Sequence, residues 1–177
     1  MGWTILIVDD HEIVRKGIRD IIRQLRPEWT ICGEAGNGAE AVEMGRALNP
    51  DVVILDIAMP GMSGIEAASQ LAKSNLASRL LLFTMYESNR LAEAARDAGA
   101  QGYVLKSQAA HHLVLAIDRI MEGGTFFGSP EANGTPNGSA SSDRGPVLCK
   151  DLDRSGACLP LIKSFELFLS LGPAARL

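Results

Sequence analysis

Short apolar runs and longer amphipathic segments alternate along the first 125 residues. Five runs rich in branched side chains predict buried β-strands, because a strand covered on both faces is apolar at consecutive positions. They lie at 3–8, 29–34, 52–55, 79–83 and 102–105. The run Val-Val-Ile-Leu at 52–55 has the strongest strand pattern of the chain.

Each strand is followed by a segment whose apolar residues recur at helical spacing, which predicts an amphipathic helix. The predicted helices cover 13–25, 38–48, 64–73, 88–98 and 108–122. In the first helix we expect the buried face to hold Ile13, Val14, Gly17, Ile18, Ile21, Ile22 and Leu25. The alternation predicts an α/β fold, a doubly wound sheet of five parallel strands with helices on both faces and right-handed crossovers.

The character of the chain changes after Phe127. Residues 128–146 are rich in Gly, Ser, Asn and Pro, which predicts a linker without a core. Apolar residues between 161 and 171 follow Pro160 and predict one short helix. We therefore divide the chain into a domain at 1–125 and a linker with an atypical tail at 126–177, the tail being either one short helix or disordered.

Composition and charge exclude several classes of protein. Hydrophobic residues make up 46% and charged residues 21%, which is typical of globular proteins, and no apolar run approaches the roughly 20 residues of a membrane-spanning helix. The start of the chain lacks a secretion signal, so we expect a cytoplasmic protein whose three cysteines are reduced. Residues 1–125 hold 16 acidic and 12 basic residues, and 126–177 hold 5 of each. Neither part has the basic excess of a nucleic-acid-binding surface.

Polar residues stand at the carboxyl ends of four predicted strands. Asp9 and Asp10 follow the first strand, Asp56 the third, Thr84 the fourth and Lys106 the fifth. Ligands of open α/β sheets bind beyond these strand ends. If the first and third strands form the central pair, all five side chains can converge on one pocket.

The three carboxylates of this cluster predict a divalent cation, because close carboxylates repel and a hard cation relieves that repulsion. Mg²⁺, or Mn²⁺, suits a few carboxylates plus water. Asp9 and Asp10 are the expected metal pair, with Asp56 and the backbone carbonyl of Ala58 completing the shell.

The same cluster suits phosphoryl transfer to a carboxylate. Asp56, which we expect to lie deepest, is placed to attack phosphorus. Lys106 and Thr84 would offer a positive charge and a hydroxyl to phosphate oxygens. Taken singly, Asp10 suits a helix N-cap, Lys106 a solvated lysine and Thr84 a turn, but their conjunction at four strand ends favours a site.

The cluster and its neighbours resemble the response regulator receiver domain of two-component systems over about residues 3 to 122. The resemblance rests on ILIVDD at 5–10 with His11, Leu55-Asp56 followed by Met59-Pro60-Gly61, Thr84, and Lys106. It implies a flavodoxin-like sheet in strand order 2-1-3-4-5. It also implies that Asp56 takes phosphate from a sensor histidine kinase. It assigns Asp9 and Asp10 to the metal, Thr84 and Lys106 to the phosphate, and Tyr103 to an aromatic switch.

The subfamily that this chain resembles is the NarL/FixJ (LuxR) type. The cues are the Asp-Asp-His at 9–11, GAQGYVLKS at 99–107 and EGGTFF at 122–127. Such proteins usually continue into a helix-turn-helix DNA-binding domain, which we do not find in 126–177. Either the chain regulates transcription through an altered or truncated output region, or it is a stand-alone receiver that docks to proteins; homodimerisation is left open.

Three residues near the expected phosphate site depart from the usual pattern. Met85 is larger than the residue that usually follows the threonine, and we expect it to narrow access to the site. Ala58 and Tyr86 carry no carboxylate that could position an attacking water, so we expect a long-lived phosphoprotein. Phosphate on Asp56 is expected to draw Thr84 towards it and to admit Tyr103 inward, which would repack the face of the fourth helix, fifth strand and fifth helix.

Rival enzyme classes fail on spacing. A haloacid-dehalogenase-type phosphatase needs two aspartates separated by one residue, whereas Asp9 and Asp10 are adjacent. A flavodoxin would have a hydroxyl- and glycine-rich loop where this chain has Asp-Asp-His. We therefore expect a phosphoacceptor and not a turnover enzyme. We expect His11 to cap or flank the first helix, and His111 and His112 to lie at the surface.

Overall fold

A computed structural model of the 177-residue chain describes residues 2–74, 76–86 and 88–127. The short helix predicted between 161 and 171 lies outside the described residues. Within the described part of the chain, none of the helices has the length and apolar character needed to cross a membrane.

The structure is built on a sheet of six parallel strands in the order β2-β1-β3-β4-β5-β6. The strands are β1 Thr4–Val8, β2 Thr30–Ala35, β3 Val52–Asp56, β4 Arg79–Thr84, β5 Gly102–Leu105 and β6 Phe126–Phe127. The predicted fold class and the order of the first five strands are confirmed. β1 and β3 are neighbours, as expected, so their carboxyl ends lie side by side.

Five α-helices and one 3₁₀ turn connect the strands. They are α1 Glu12–Leu25, α2 Gly38–Leu48, α3 Gly64–Ala72, α4 Asn89–Asp97, the 3₁₀ turn Lys106–Gln108 and α5 Ala109–Met121. Polar residues fix three helix starts: Ser63 forms a capping box with Glu66, and the side chains of Asn37 and Ser88 accept from backbone N–H groups.

The sheet lies between two apolar layers. One layer packs α1 and α5 against one face, and the other packs α2, α3 and α4 against the opposite face. The expected buried face of α1 is wrong at its ends, where Ile13 is 47% and Leu25 41% exposed. The stripe that faces the sheet holds Val14, Ile18, Ile21 and Ile22. Ile13 is rotated by about 100° from Val14 on a helix and so points away from it.

The sixth strand was not predicted and extends the sheet past the predicted domain end at residue 125. The amide of Phe126 donates to the carbonyl of Gln101 at 3.0 Å. Gly102 pairs with Phe126, and a Cβ at Gly102 would collide with the carbonyl of Phe126, so the close approach requires glycine. The sheet therefore continues to Phe127, and the domain boundary at residue 125 stays a prediction.

Phe127 covers the edge of β5. Its ring meets the ring of Tyr103 edge-to-face at 6.1 Å between centroids. The guanidinium carbon of Arg96 on α4 lies 4.0 Å from the centre of the Phe127 ring, as in a cation–π contact. Tyr103 is consequently only 3% exposed and Phe127 7%.

Candidate functional site

The carboxyl ends of β1, β3 and β5 bring four of the predicted residues together. Asp9 and Asp10 follow β1, Asp56 is the last residue of β3, and Lys106 opens the 3₁₀ turn after β5. α3 starts close by, because Gly64 packs against the carbonyl of Asp56 where a Cβ would collide with it. The predicted convergence of Asp9, Asp10, Asp56 and Lys106 is what the structure has.

Lys106 links two buried carboxylates. Its Nζ lies 2.6 Å from Oδ2 of Asp9 and 2.9 Å from Oδ2 of Asp56. Asp9 is fully buried, whereas Asp56 is 2% and Lys106 5% exposed. Asp9 is thus at least as well buried as Asp56, which was expected to lie deepest. Asp9 directly follows the fully buried end of β1, and its backbone N–H bonds to the carbonyl of Ala35.

Burial and the charge of Asp9 raise the pKa of Asp56 above its usual value, while Lys106 and the amide of Ala58 act in the opposite direction. The Ala58 N–H donates to Oδ1 of Asp56 at 3.3 Å. One lysine charge thus faces two buried carboxylates, and Asp10 adds a third carboxyl group nearby. The local charge favours a further cation.

The residues present fit a divalent cation. One ligand atom from each of Asp9, Asp10, His11 and Asp56 can be chosen so that all lie within 4.8 Å of one another. Oδ1 of Asp10 is buried and has no hydrogen-bond partner among the described residues. A buried carboxylate oxygen without a partner is costly, and a bound cation would satisfy it. The acidic pocket is therefore compatible with divalent cation binding.

His11 belongs to this site, which the sequence analysis missed. It occupies the N-cap position of α1, as expected, but its side chain makes no capping hydrogen bond. Its Nδ1 instead lies 2.7 Å from Oδ1 of Asp10 and 3.4 Å from Oδ1 of Asp9. The signal was present in the sequence, because a histidine directly after two aspartates has to lie near them.

Thr84 is buried at the end of β4, but its hydroxyl bonds to its own loop. The backbone N–H of Tyr86 donates to Oγ1 of Thr84 at 3.2 Å, and Oγ1 lies 3.2 Å from the carbonyl of Tyr86. The hydroxyl is thus engaged in a turn, which was the ordinary alternative considered for this residue. Its role as a phosphate contact stays a prediction.

Tyr103 lies on β5 beside β4, where it pairs with Leu82. Because Phe127 covers it, the ring is already buried, in contrast to the expectation that it moves inward only after phosphorylation. Its switch role stays a prediction, and any movement of Tyr103 has to involve Phe127. Met85 and Tyr86 follow Thr84 in the β4–α4 loop and are 44% and 76% exposed.

Comparisons with known proteins agree with this geometry. The family model of the response regulator receiver domain matches residues 5–118. The nitrate/nitrite response regulator protein NarL of Escherichia coli K12 is 35% identical over 120 residues, which are 68% of this chain and 55% of NarL. Response regulator UvrY of Escherichia coli O157:H7 is 38% identical over 126 residues, 71% of this chain and 57% of UvrY.

A solved structure gives the same result. The crystal structure of a LuxR-family two-component response regulator from Aurantimonas sp. SI85-9A1 superimposes with a TM-score of 0.69 and 40% identity, covering 74% of this chain and 92% of that chain. The chain spans a little more than half the length of NarL and UvrY. With the family model, these likenesses confirm the predicted family, and the chain belongs to the response regulator receiver domains of two-component systems, of the NarL/LuxR type.

Proposed function

We propose that the chain accepts a phosphoryl group on Asp56 from a sensor histidine kinase and transmits the signal through the face formed by α4, β5 and α5. The observation that carries the proposal is the ammonium of Lys106 held 2.9 Å from Oδ2 of Asp56 and 2.6 Å from Oδ2 of Asp9. This contact places a positive charge beside the one carboxylate that ends the central strand β3.

In the proposed step an oxygen of Asp56 forms a bond to phosphorus while the bond from phosphorus to the donor histidine nitrogen breaks. The donor imidazole leaves with the electron pair and takes up a proton. Lys106 stays close to the charge that develops on the phosphoryl oxygens. The Ala58 N–H, now bonded to Oδ1 of Asp56, keeps the carboxylate oriented.

Asp9, Asp10, Asp56 and the backbone carbonyl of Ala58 would hold Mg²⁺ or Mn²⁺ in this proposal. When bound, the cation would neutralise charge on the phosphoryl oxygens. The unpartnered Oδ1 of Asp10 supports this assignment. Lys106 contributes a charge fixed in the protein, so the site combines one permanent and one exchangeable cation.

The event is proposed to be stoichiometric, one phosphoryl group per chain, and not turnover of a substrate. Neither Ala58 nor Tyr86 offers a carboxylate that could activate water beside the acyl phosphate. Release of the group should therefore be slow, as a signalling state requires.

For the output we propose control of transcription, as in relatives of this type, of which LnrK of Bacillus subtilis is named a transcriptional regulatory protein. The alternative is a receiver that acts by docking to other proteins. The even balance of 5 acidic and 5 basic residues in 126–177 favours that alternative. Salt-dependent binding of the full chain to DNA fragments would support the first, and its absence with and without phosphorylation the second.

The test of phosphoacceptance uses the full chain with acetyl phosphate and Mg²⁺, followed by intact-mass measurement. We expect one added phosphoryl group, lost on hydroxylamine treatment and not formed in the presence of EDTA. Asp56→Asn should abolish it, while Asp97→Asn, an exposed aspartate on α4, should not. Equal phosphoryl uptake by Asp56→Asn would refute the proposal.

A further inference from the structure

We propose that His11 is a nitrogen ligand of the divalent cation site, so that the site binds first-row transition cations such as Mn²⁺ and Co²⁺ more tightly than its carboxylates alone would. The inference rests on the proposed cation site at Asp9, Asp10 and Asp56. It concerns the selectivity of that site, which neither the family match nor the acidic cluster assigns.

The distances around His11 suit ligands of one ion. Metal–ligand bonds of about 2.1 Å at right angles place neighbouring ligand atoms about 3 Å apart. Nδ1 of His11 is 2.7 Å from Oδ1 of Asp10 and 3.4 Å from Oδ1 of Asp9, on either side of that value. One carboxylate oxygen of Asp56 belongs to the same group, whose four ligand atoms, one from each residue, all lie within 4.8 Å of one another.

The backbone holds the imidazole in this place. The N–H of His11 donates to Oδ1 of Asp9 at 2.9 Å, and the His11 carbonyl accepts from the amides of Val14 and Arg15 in the first turn of α1. The residue is thereby anchored to both the acidic pair and the helix. Its side chain is 36% exposed, so the imidazole borders the solvent from which a hydrated ion would arrive.

The close approach of His11 to Asp10 leaves one oxygen of Asp10 to be satisfied by another group. Although Nδ1 and Oδ1 lie 2.7 Å apart, Oδ1 of Asp10 has no hydrogen-bond partner among the described residues. Two close polar atoms that make no hydrogen bond to each other can both be ligands of one cation. A cation between them would satisfy the buried oxygen of Asp10.

A nitrogen ligand changes which cation the site prefers. Imidazole suits Mn²⁺, Co²⁺, Ni²⁺ and Zn²⁺, whereas Mg²⁺ keeps oxygen ligands and water. Affinity for N/O sites rises along the series from Mn²⁺ to Co²⁺. The gain from His11 should therefore be larger for Co²⁺ than for Mn²⁺ and small for Mg²⁺.

The sequence provides matched controls, because it has three histidines, His11, His111 and His112. His111 lies exposed on α5 and is not part of the acidic cluster. His111→Ala therefore removes an imidazole that could bind transition cations nonspecifically. Co²⁺ bound by a cysteine thiolate is recognised separately, because it shows a near-ultraviolet charge-transfer band that imidazole and carboxylate ligands do not give.

The experiment titrates the full chain, reduced and free of donors, with Mg²⁺ and with Co²⁺ by calorimetry. His11→Ala should weaken Co²⁺ binding about tenfold or more, which is the usual loss of affinity when residues around a metal ion are substituted. The affinity for Mg²⁺ should change less than about threefold. His111→Ala should match the wild type for both. In the Co²⁺-loaded protein, a hyperfine-shifted imidazole N–H resonance should appear in wild type and His111→Ala and vanish in His11→Ala.

Each outcome decides the matter. If His11→Ala and a second variant, His11→Asn, keep the wild-type Co²⁺ affinity, or lose Co²⁺ and Mg²⁺ affinity equally, the inference is overturned while the cation site stands. If the wild-type chain binds neither cation at its acidic cluster, the proposed cation site fails, and this inference fails with it. Thermal unfolding of both variants without metal separates a folding defect from a lost ligand.

Discussion

At the scale of single residues, the site is built on a charge imbalance: two buried carboxylates, those of Asp9 and Asp56, share the ammonium of Lys106. Because the pKa of Asp56 is raised, chiefly by burial and then by Asp9, the folded protein disfavours the ionised form of Asp56. The arrangement of charges therefore lowers the stability of the metal-free protein but favours the binding of a cation.

Replacing Asp56 by Asn should stabilise the metal-free protein at neutral pH, by about 1 kcal/mol, the usual size of such effects. A carboxyl group whose folded pKa lies above its unfolded value, near 3.8, lowers stability only where it is ionised. The gain should therefore be full above the folded pKa, shrink as the pH falls through it, and vanish below the unfolded value. Urea unfolding in EDTA across a pH series measures this.

Asp97→Asn is the control for that experiment, because Asp97 is exposed. Its effect should be small at every pH. A destabilising Asp56→Asn substitution at pH 7, or a difference that does not depend on pH, would contradict the charge argument.

Met85 follows Thr84, the last residue of β4, and is 44% exposed. Met85→Ala should increase the rate of phosphorylation by acetyl phosphate severalfold, because a smaller side chain opens the approach to Asp56. Stopped-flow measurement of the rate at saturating Mg²⁺ tests this. An unchanged rate would mean that Met85 does not limit access.

The lifetime of the phosphorylated protein should be minutes or longer, since neither Ala58 nor Tyr86 has a group that can position a water molecule as a carboxylate would. Decay of the phosphoryl mass after removal of the donor measures it. Loss within seconds would show that another residue activates the water.

At the scale of elements, the sequence predicted each of the first five strands and all five helices, because their apolar periods extend over several residues. It missed β6, since the two residues Phe126 and Phe127 are too short to display a period. It misjudged Ile13 and Leu25 because helical spacing alone does not tell where a helix leaves the sheet. The His11 contact depends on the turn between β1 and α1, which no periodic pattern describes.

Phe127 tests the contribution of β6. Phe127→Ala should lower the free energy of unfolding by about 3 kcal/mol, the lower end for buried phenylalanine, because its ring contacts both Tyr103 and Arg96. Leu115→Ala is the control, since Leu115 is 53% exposed and should change stability by about 0.5 kcal/mol or less. Equal effects of both substitutions, measured by urea unfolding, would mean that β6 does not stabilise the domain.

At the scale of the whole molecule, the order of the strands in the sheet brings the site residues together, although they are far apart in the sequence. β1 and β3 are adjacent, and their carboxyl-terminal residues are buried between the two apolar layers, so residues that follow them must meet at one edge. That is why Asp9, Asp10, Asp56 and Lys106 could be predicted as a cluster. The hydroxyl direction of Thr84 and the buried state of Tyr103 could not, because they depend on loop and edge contacts.

A chain that ends after Thr125 should associate with itself more strongly than one that ends after Phe127. Without β6 the edge of β5 presents unpaired backbone groups, and such an edge pairs readily with another strand. Sedimentation velocity over a range of protein concentrations compares the two chains. A monomer at every concentration in both cases would refute this expectation.

The pairing of β6 with β5 also fixes where the described part of the chain ends. Phe127, the last described residue, lies at the margin of the sheet next to Arg96 and Tyr103. A segment joined through a short flexible linker has an effective local concentration of the order of millimolar. A weak attraction between this surface and a segment joined to it would therefore have a larger effect than in separate molecules. Loss of the two-residue strand β6 would weaken that effect.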